Sequence, residues 1–169
     1  SSSSSSSSLW KEYFSAALSV TPRNHLIHKD FGRCYAQEEG DMRSARQFLS
    51  RTVQYYPLDV EATIALARMF LDTRQPRAAL RRLDKLLSLK EVLPDEDMLR
   101  PDVPVAWQPR RAQGWEARVM AATCALQCMN RSTKYLPKAM ERLETCLQAA
   151  PSPQLENMLA AARHALASE

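Results

Sequence analysis

Glycine is almost missing from this chain, with three in 169 residues. That scarcity removes the loops that wrap phosphates and dinucleotides. No G-x-G-x-x-G, no Walker-type loop and no G-x-S-x-G elbow occurs. Together with the shortage of β-branched runs, it also argues against an all-β fold. No stretch approaches the roughly 18 apolar residues that span a bilayer, and no basic segment leads into an apolar core as in a secretory signal. We therefore expect no membrane insertion and an intracellular protein, cytoplasmic in the first instance, with nuclear and organellar compartments open. Histidine is scarce as well: His25, His28 and His164. His25 and His28 lie three apart and could share a helical face, but only Cys34 is near enough in sequence to join them, which leaves a zinc set incomplete.

The four cysteines, Cys34, Cys124, Cys128 and Cys146, fall inside helical patterns and read as reduced, small apolar packers. Cys124 and Cys128 stand four apart, yet a metal or redox site would want a second short Cys/His spacing. Asp95, Glu96 and Asp97 lie among prolines and read as a solvated loop, not as paired catalytic carboxylates. Nothing here assembles a reaction centre. The expectation is a non-enzyme with no catalytic residue, no metal, no cofactor and no small-molecule substrate.

What is present suits a folded helical protein: 45% hydrophobic and 25% charged residues, with a net charge of +4. The mild basicity is compatible with acidic partners or nucleic acid and requires neither. Residues 1–8 are all serine, a composition with no apolar face to bury, so they are set aside as unassigned or disordered.

Beyond them a period emerges. Pro22 and Pro57 stand 35 residues apart, each closing an amphipathic run. Eight residues before Pro22, Pro57 and Pro151 lie Phe14, Leu49 and Leu143. Twelve before Pro57 and Pro151 lie Ala45 and Ala139. Ala79 and Leu83 follow Ala45 and Leu49 at an interval of 34. Phe31-Gly32 with Tyr35 corresponds to Leu66-Ala67 with Phe70: a bulky residue, a tiny one, then an aromatic three later, all on one helical stripe. A fixed spacing of this length indicates helix–turn–helix units.

These residues resemble the tetratricopeptide repeat family, with Phe31, Gly32 and Tyr35 at its seventh, eighth and eleventh positions and Ala45, Leu49 and Pro57 at its twentieth, twenty-fourth and thirty-second. Leu66, Ala67, Phe70, Ala79, Leu83 and Leu86 supply the next repeat. The first full repeat carries one extra residue near Glu38-Glu39-Gly40-Asp41, and His28 and Thr63 replace the family's tryptophan. The resemblance implies an all-α fold of antiparallel helix pairs stacked into a right-handed superhelix, an α-solenoid. A partial repeat and two full ones would cover 9–90, with helices near 9–20, 24–38, 42–56, 59–73 and 76–90. A proline-rich inserted loop would cover 91–110, an irregular third pair 111–152, with helices near 111–130 and 136–150, and a capping helix 153–169. In the third pair either Met120-Ala121 or Leu126-Gln127 could take the bulky-small positions.

The family's first helices line a concave groove that holds partner segments. Carried over, that surface is Leu26, Lys29, Arg33 and Gln37 in one repeat and Glu61, Ile64, Arg68 and Leu71 in the next. Lys29, Arg33 and Arg68 would make it partly basic, over an apolar floor of Ile64 and Leu71. A second feature is a basic stripe. Arg74, Arg77, Arg81, Arg82 and Lys85 crowd one region, and the four-residue step of Arg77, Arg81 and Lys85 places these three on one helix face. It would meet RNA phosphates or an acidic protein, or be neutralised by neighbours such as Asp84. The expected function is a protein–protein interaction scaffold within a larger complex. The alternative is a component of a ribonucleoprotein assembly, ribosomal or RNA-processing, contacting RNA through the stripe.

Overall fold

Helix starts are written into the chain as side chains that accept backbone N–H groups. Asn24 Oδ1 accepts from Leu26 and Ile27 at 3.1 and 3.4 Å. Asp41 Oδ1 accepts from Ser44 at 3.1 Å, Asp59 Oδ1 from Ala62 at 3.0 Å, and Ser152 Oγ from Leu155 at 3.5 Å. Each satisfies a donor that the first turn of a helix leaves open. Pro76, Pro137 and Pro153 sit in first turns, where no N–H is needed.

The helices that result are α1 (Ser3–Val20), α2 (His25–Cys34), α3 (Met42–Tyr55), α4 (Val60–Asp72), α5 (Pro76–Leu87), α6 (Gln108–Cys128), α7 (Leu136–Ala149) and α8 (Pro153–Ala167). This computed structural model describes residues 3–89 and 108–168, and among them there is helix and no strand. The inserted loop expected at 91–110 lies outside the described residues except for 108–110, which already belong to α6. At the other end, α1 runs back to Ser3, into the serines that composition leaves without structure. Extending an existing helix adds one hydrogen bond per residue without a new nucleus.

Near Glu38-Glu39-Gly40-Asp41, where the spacing carries one extra residue, the backbone departs from α-helix. After Cys34 the backbone widens into a π turn over Tyr35–Glu39, closed by Gly40 in the left-handed region at φ 65°. Asp41 N–H then bonds the Tyr35 carbonyl at 3.0 Å. A π turn absorbs one inserted residue and leaves the helix in register on either side.

The chain divides after Met69 into two compact units. In the first, α2 packs on α3 and α1 packs on α2. Gly32 shows how close the α2–α3 approach is. A Cβ added there would lie 3.1 Å from the Ala45 carbonyl oxygen, 3.2 Å from Phe48 Cβ and 3.3 Å from Leu49 Cγ. Phe31, Gly32, Ala45 and Leu49 are all buried. An aromatic cluster extends the contact. Phe31 meets Phe48 at 4.2 Å and Phe14 at 5.0 Å between ring centroids, and Trp10 meets Tyr35 edge-on at 5.1 Å. Such pairs add about 0.5–1.5 kcal/mol each beyond burial of their area. His28, standing where the family has tryptophan, is 3% exposed and faces Phe48 and Tyr55. Its Nε2 donates to the Pro22 carbonyl at 2.8 Å, which gives a buried ring a polar partner.

In the second unit α6 is central: α5 and α7 pack on it, α7 packs on α8, and α8 also reaches α6. Ala117, Ala121, Ala122, Cys124, Ala125 and Cys128 of α6 are buried, so tiny side chains face its neighbours. Leu80 and Leu83 of α5 and Leu136 and Leu143 of α7, the two helices packed on α6, are buried as well. The repeat interval of twelve back from Ala139 falls on Gln127, which is exposed, whereas Ala121 is fully buried. At the small position it is Ala121 that is buried and not Gln127, while Met120 and Leu126 are both half-buried.

Replacing Gly32 with leucine should cost about 1–3 kcal/mol, as overpacking of a tight contact does. The readout is a lower urea midpoint at an unchanged m-value. Asn24→Ala, which removes only a cap, should cost about 1 kcal/mol by the same measurement.

Candidate interaction surfaces

Two charged regions stand out, one in each unit. The first surrounds Asp59, whose carboxylate is buried and doubly engaged. One oxygen caps α4 through Ala62, and the other lies 3.1 Å from Lys29 Nζ on α2. His25 Nδ1 is 3.9 Å from that same oxygen, and its ring stacks on Tyr56 at 4.3 Å. Lys29 also reaches Glu61 at 3.6 Å, and Arg33 reaches Glu61 at 3.8 Å and Asp30 at 3.9 Å. Burial pulls the Lys29 pKa down, but the hydrogen bond and charge of Asp59, with Glu61 behind it, outweigh that and leave it raised.

These contacts change the groove outlined from the sequence. Lys29 and Arg33 are answered by Asp59 and Glu61, so this stretch is not a free basic surface. Ile64, expected as open apolar floor, is 5% exposed and cannot meet a partner without rearrangement. Leu26, Arg33, Gln37, Glu61 and Arg68 are exposed, while Leu71 is half-buried and belongs to the second region.

That second region lies along α5. Arg74, Arg77, Arg81 and Lys85 are exposed and Arg82 is half-buried. Asp84, the expected counter-ion of this stripe, is engaged elsewhere: Arg142 Nη1 of α7 lies 2.6 Å from its Oδ1. Arg142 is itself buried, so the carboxylate is held by the charge that most needs it. The stripe keeps its charge unanswered by Asp84.

Where α4 turns into α5, Arg74 takes a left-handed backbone at φ 56°. Its N–H bonds the Leu71 carbonyl at 3.0 Å, and Gln75 N–H bonds Phe70 at 2.8 Å. A glycine is the usual occupant of such a helix-ending position, and a side chain there costs roughly 1–2 kcal/mol. A cleft of about 700 Å³ opens beside it, lined by Leu71, Arg74, Gln75, Pro76, Arg77 and Ala78 together with Gln127, Cys128 and Arg131 from the end of α6 and beyond. Arg131 is a member that sequence reasoning missed. It lies far from the stripe in the chain, and only the packing of α5 on α6 brings it there.

The thiols are packed, as small apolar residues are. Cys124, Cys128 and Cys146 are buried and Cys34 half-buried, all unbridged. Burial pushes the Cys124 thiol up to about 12, with Cys128 adding to it. Burial also raises Cys34, helped by Glu38 and Asp30. Among the described residues no three of His, Cys, Asp and Glu converge on a metal-sized site, and no helix is long and apolar enough to cross a membrane. Compared with known proteins, the chain matches no family model and no curated protein.

Two outcomes follow from this chemistry. The stability that Lys29 contributes is complete below its unfolded pKa, about 10.4, and is lost as pH rises through its higher folded value. The stability gap between the wild type and Lys29→Met should therefore close on alkaline titration and stay constant between neutrality and that point. With a thiol reagent at neutral pH, Cys34 alone should react in the native chain, and slowly, the other three reacting only on unfolding.

Proposed function

We propose that this chain is a tetratricopeptide-like interaction scaffold, a helical-hairpin module in which helix pairs stack as a right-handed superhelix and hold other proteins of a larger assembly. The observation that carries the reading is the burial pattern. The small residues of the two full repeats, Gly32, Ala45, Ala67 and Ala79, are all buried, and the bulky Phe31, Leu49, Leu66 and Leu83 beside them are buried too. Helices that touch at such positions nest closely and leave long faces for docking. The π turn explains why one interval is a residue longer without breaking the pattern. On this reading the protein catalyses nothing and takes no small-molecule substrate.

The docking surface favoured now differs from the groove that the family resemblance implies. Lys29 and Arg33 are paired, and Ile64 is covered. Leu26 and Gln37 remain open on the groove side, and the cationic face of α5 is open in the second unit.

A second reading, a component of a ribonucleoprotein particle, is favoured by one feature: Arg77, Arg81 and Lys85 are exposed in a row, and Asp84 turns to Arg142 instead of neutralising them. Phosphates would suit that row. No aromatic side chain lies in it, which speaks against reading bases.

Purification of the full chain from its own cells, with cross-linking and mass spectrometry, separates the two. The scaffold reading expects protein partners in fixed proportion that stay bound after RNase digestion and after Arg77, Arg81 and Lys85 are jointly changed to alanine. Loss of every partner on RNase treatment, with salt-dependent RNA binding abolished by the triple change, would establish the ribonucleoprotein reading in its place.

A further inference from the structure

The cleft beside the α4–α5 turn gathers positive charge without an answering acid among the described residues. Arg74 comes from the turn, Arg77 from the first turn of α5 and Arg131 from just beyond α6. Gln75 and Gln127 are the other polar groups of its wall, and among the described residues no Asp or Glu lines it. No ion pair holds any of the three arginines among the described residues. Arg77 and Arg131 are close enough to the buried Cys128 to draw its pKa down, although burial outweighs them and leaves it raised. The two cations, from separate parts of the chain, therefore act on one spot. Like charges around one space repel, and an anion placed among them relieves all of them at once.

Two local features strengthen the pattern. Arg74 occupies a left-handed position that a glycine would fill without strain. Strain kept at such a place points to a use for the side chain that bears it. The start of α5 has no side-chain cap, because Gln75 Nε2 bonds Thr73 Oγ1 at 3.2 Å instead. The partial positive charge of that helix end is left to add to the arginines.

We infer that this cleft binds a carboxylate-bearing segment of a partner protein, an acidic side chain among Arg74, Arg77 and Arg131 with an aliphatic neighbour against Leu71, Pro76 and Ala78. Planar guanidinium groups pair with carboxylates through two parallel hydrogen bonds, a geometry that several arginines around one cleft can offer. The cleft is wide enough for a few side chains and too small for a domain. Its wall has apolar patches and no aromatic ring, so it suits an aliphatic residue and offers a nucleic acid base nothing to stack on. This inference rests on the interaction-scaffold reading and names the chemistry of one partner contact. It concerns the second unit, whereas the groove positions Leu26 to Gln37 belong to the first.

The test uses the full chain and fluorescence anisotropy. The probe is a labelled peptide alternating leucine and glutamate, with a leucine–glutamine peptide and a uridine oligonucleotide of equal charge as controls. Saturable binding of the glutamate peptide is expected, weaker at raised salt, and reduced about tenfold or more by Arg77→Glu or Arg131→Glu, both checked for folding by circular dichroism. Arg74→Gly should weaken binding severalfold while leaving the thermal midpoint unchanged or higher, a combination that a purely structural arginine would not produce. Equal binding by the wild type and both charge reversals, equal binding of the glutamine peptide, or no saturable binding would overturn the inference. So would tighter, arginine-dependent capture of the oligonucleotide, which would assign the cleft to nucleic acid. If the peptide fails but cellular partners persist through RNase treatment, only the cleft assignment falls. If those partners are lost too, the scaffold reading falls with it.

Discussion

How near two helices can come depends on what projects between them, and in the first unit that limit is set at Gly32. The Ala45 carbonyl stands where any β-carbon would be crowded, so α2 and α3 meet almost backbone to backbone. Once that distance is short, the aromatic rings on either side have one place to go. Phe31 lies against Phe48, Phe14 against Phe31, and Trp10 edge-on to Tyr35, which ties α1 to the same core. The second unit uses the same device with alanine and cysteine, and it buries three thiols for their small size. Burial leaves those thiols little access to a reagent.

Electrostatics divide the charged residues into two populations. Asp59 caps a helix with one oxygen and neutralises Lys29 with the other, so both charges are consumed in holding α2 against the start of α4. Asp84 is likewise consumed by buried Arg142. Each pairing decides function indirectly. The first closes a surface that counting charges would leave basic, and the second leaves the row along α5 without the acid nearest to it in sequence. The charge left for a partner is what the internal pairs do not take.

The buried contact residues were legible wherever they depended on residue size at fixed spacing. Phe31-Gly32, Leu66-Ala67, Ala45-Leu49 and Ala79-Leu83 stand out because helix contacts need one tiny and one bulky residue at a constant interval. The interval itself was less secure. A helix can take an extra residue as a π turn, as at Tyr35–Glu39, and the third pair keeps its small buried residues while abandoning the spacing. Gln127, which spacing alone would bury, faces outward. Close packing demands small side chains at the contact and is indifferent to where the next contact falls along the chain.

The sequence by itself determined that the chain is helical, where most of its helices begin, and that pairs such as Phe31-Gly32 and Leu66-Ala67 enter the core. Those depend on neighbours within a few turns: caps such as Asn24 and Asp59, first-turn prolines, and the apolar stripe. Only the tertiary structure decided which charges are available. Whether Lys29, Asp84 or Arg131 is paired, buried or open depends on residues tens of positions away, brought within a few ångströms by helix packing. Coulomb interactions act across that short distance and are blind to separation along the chain.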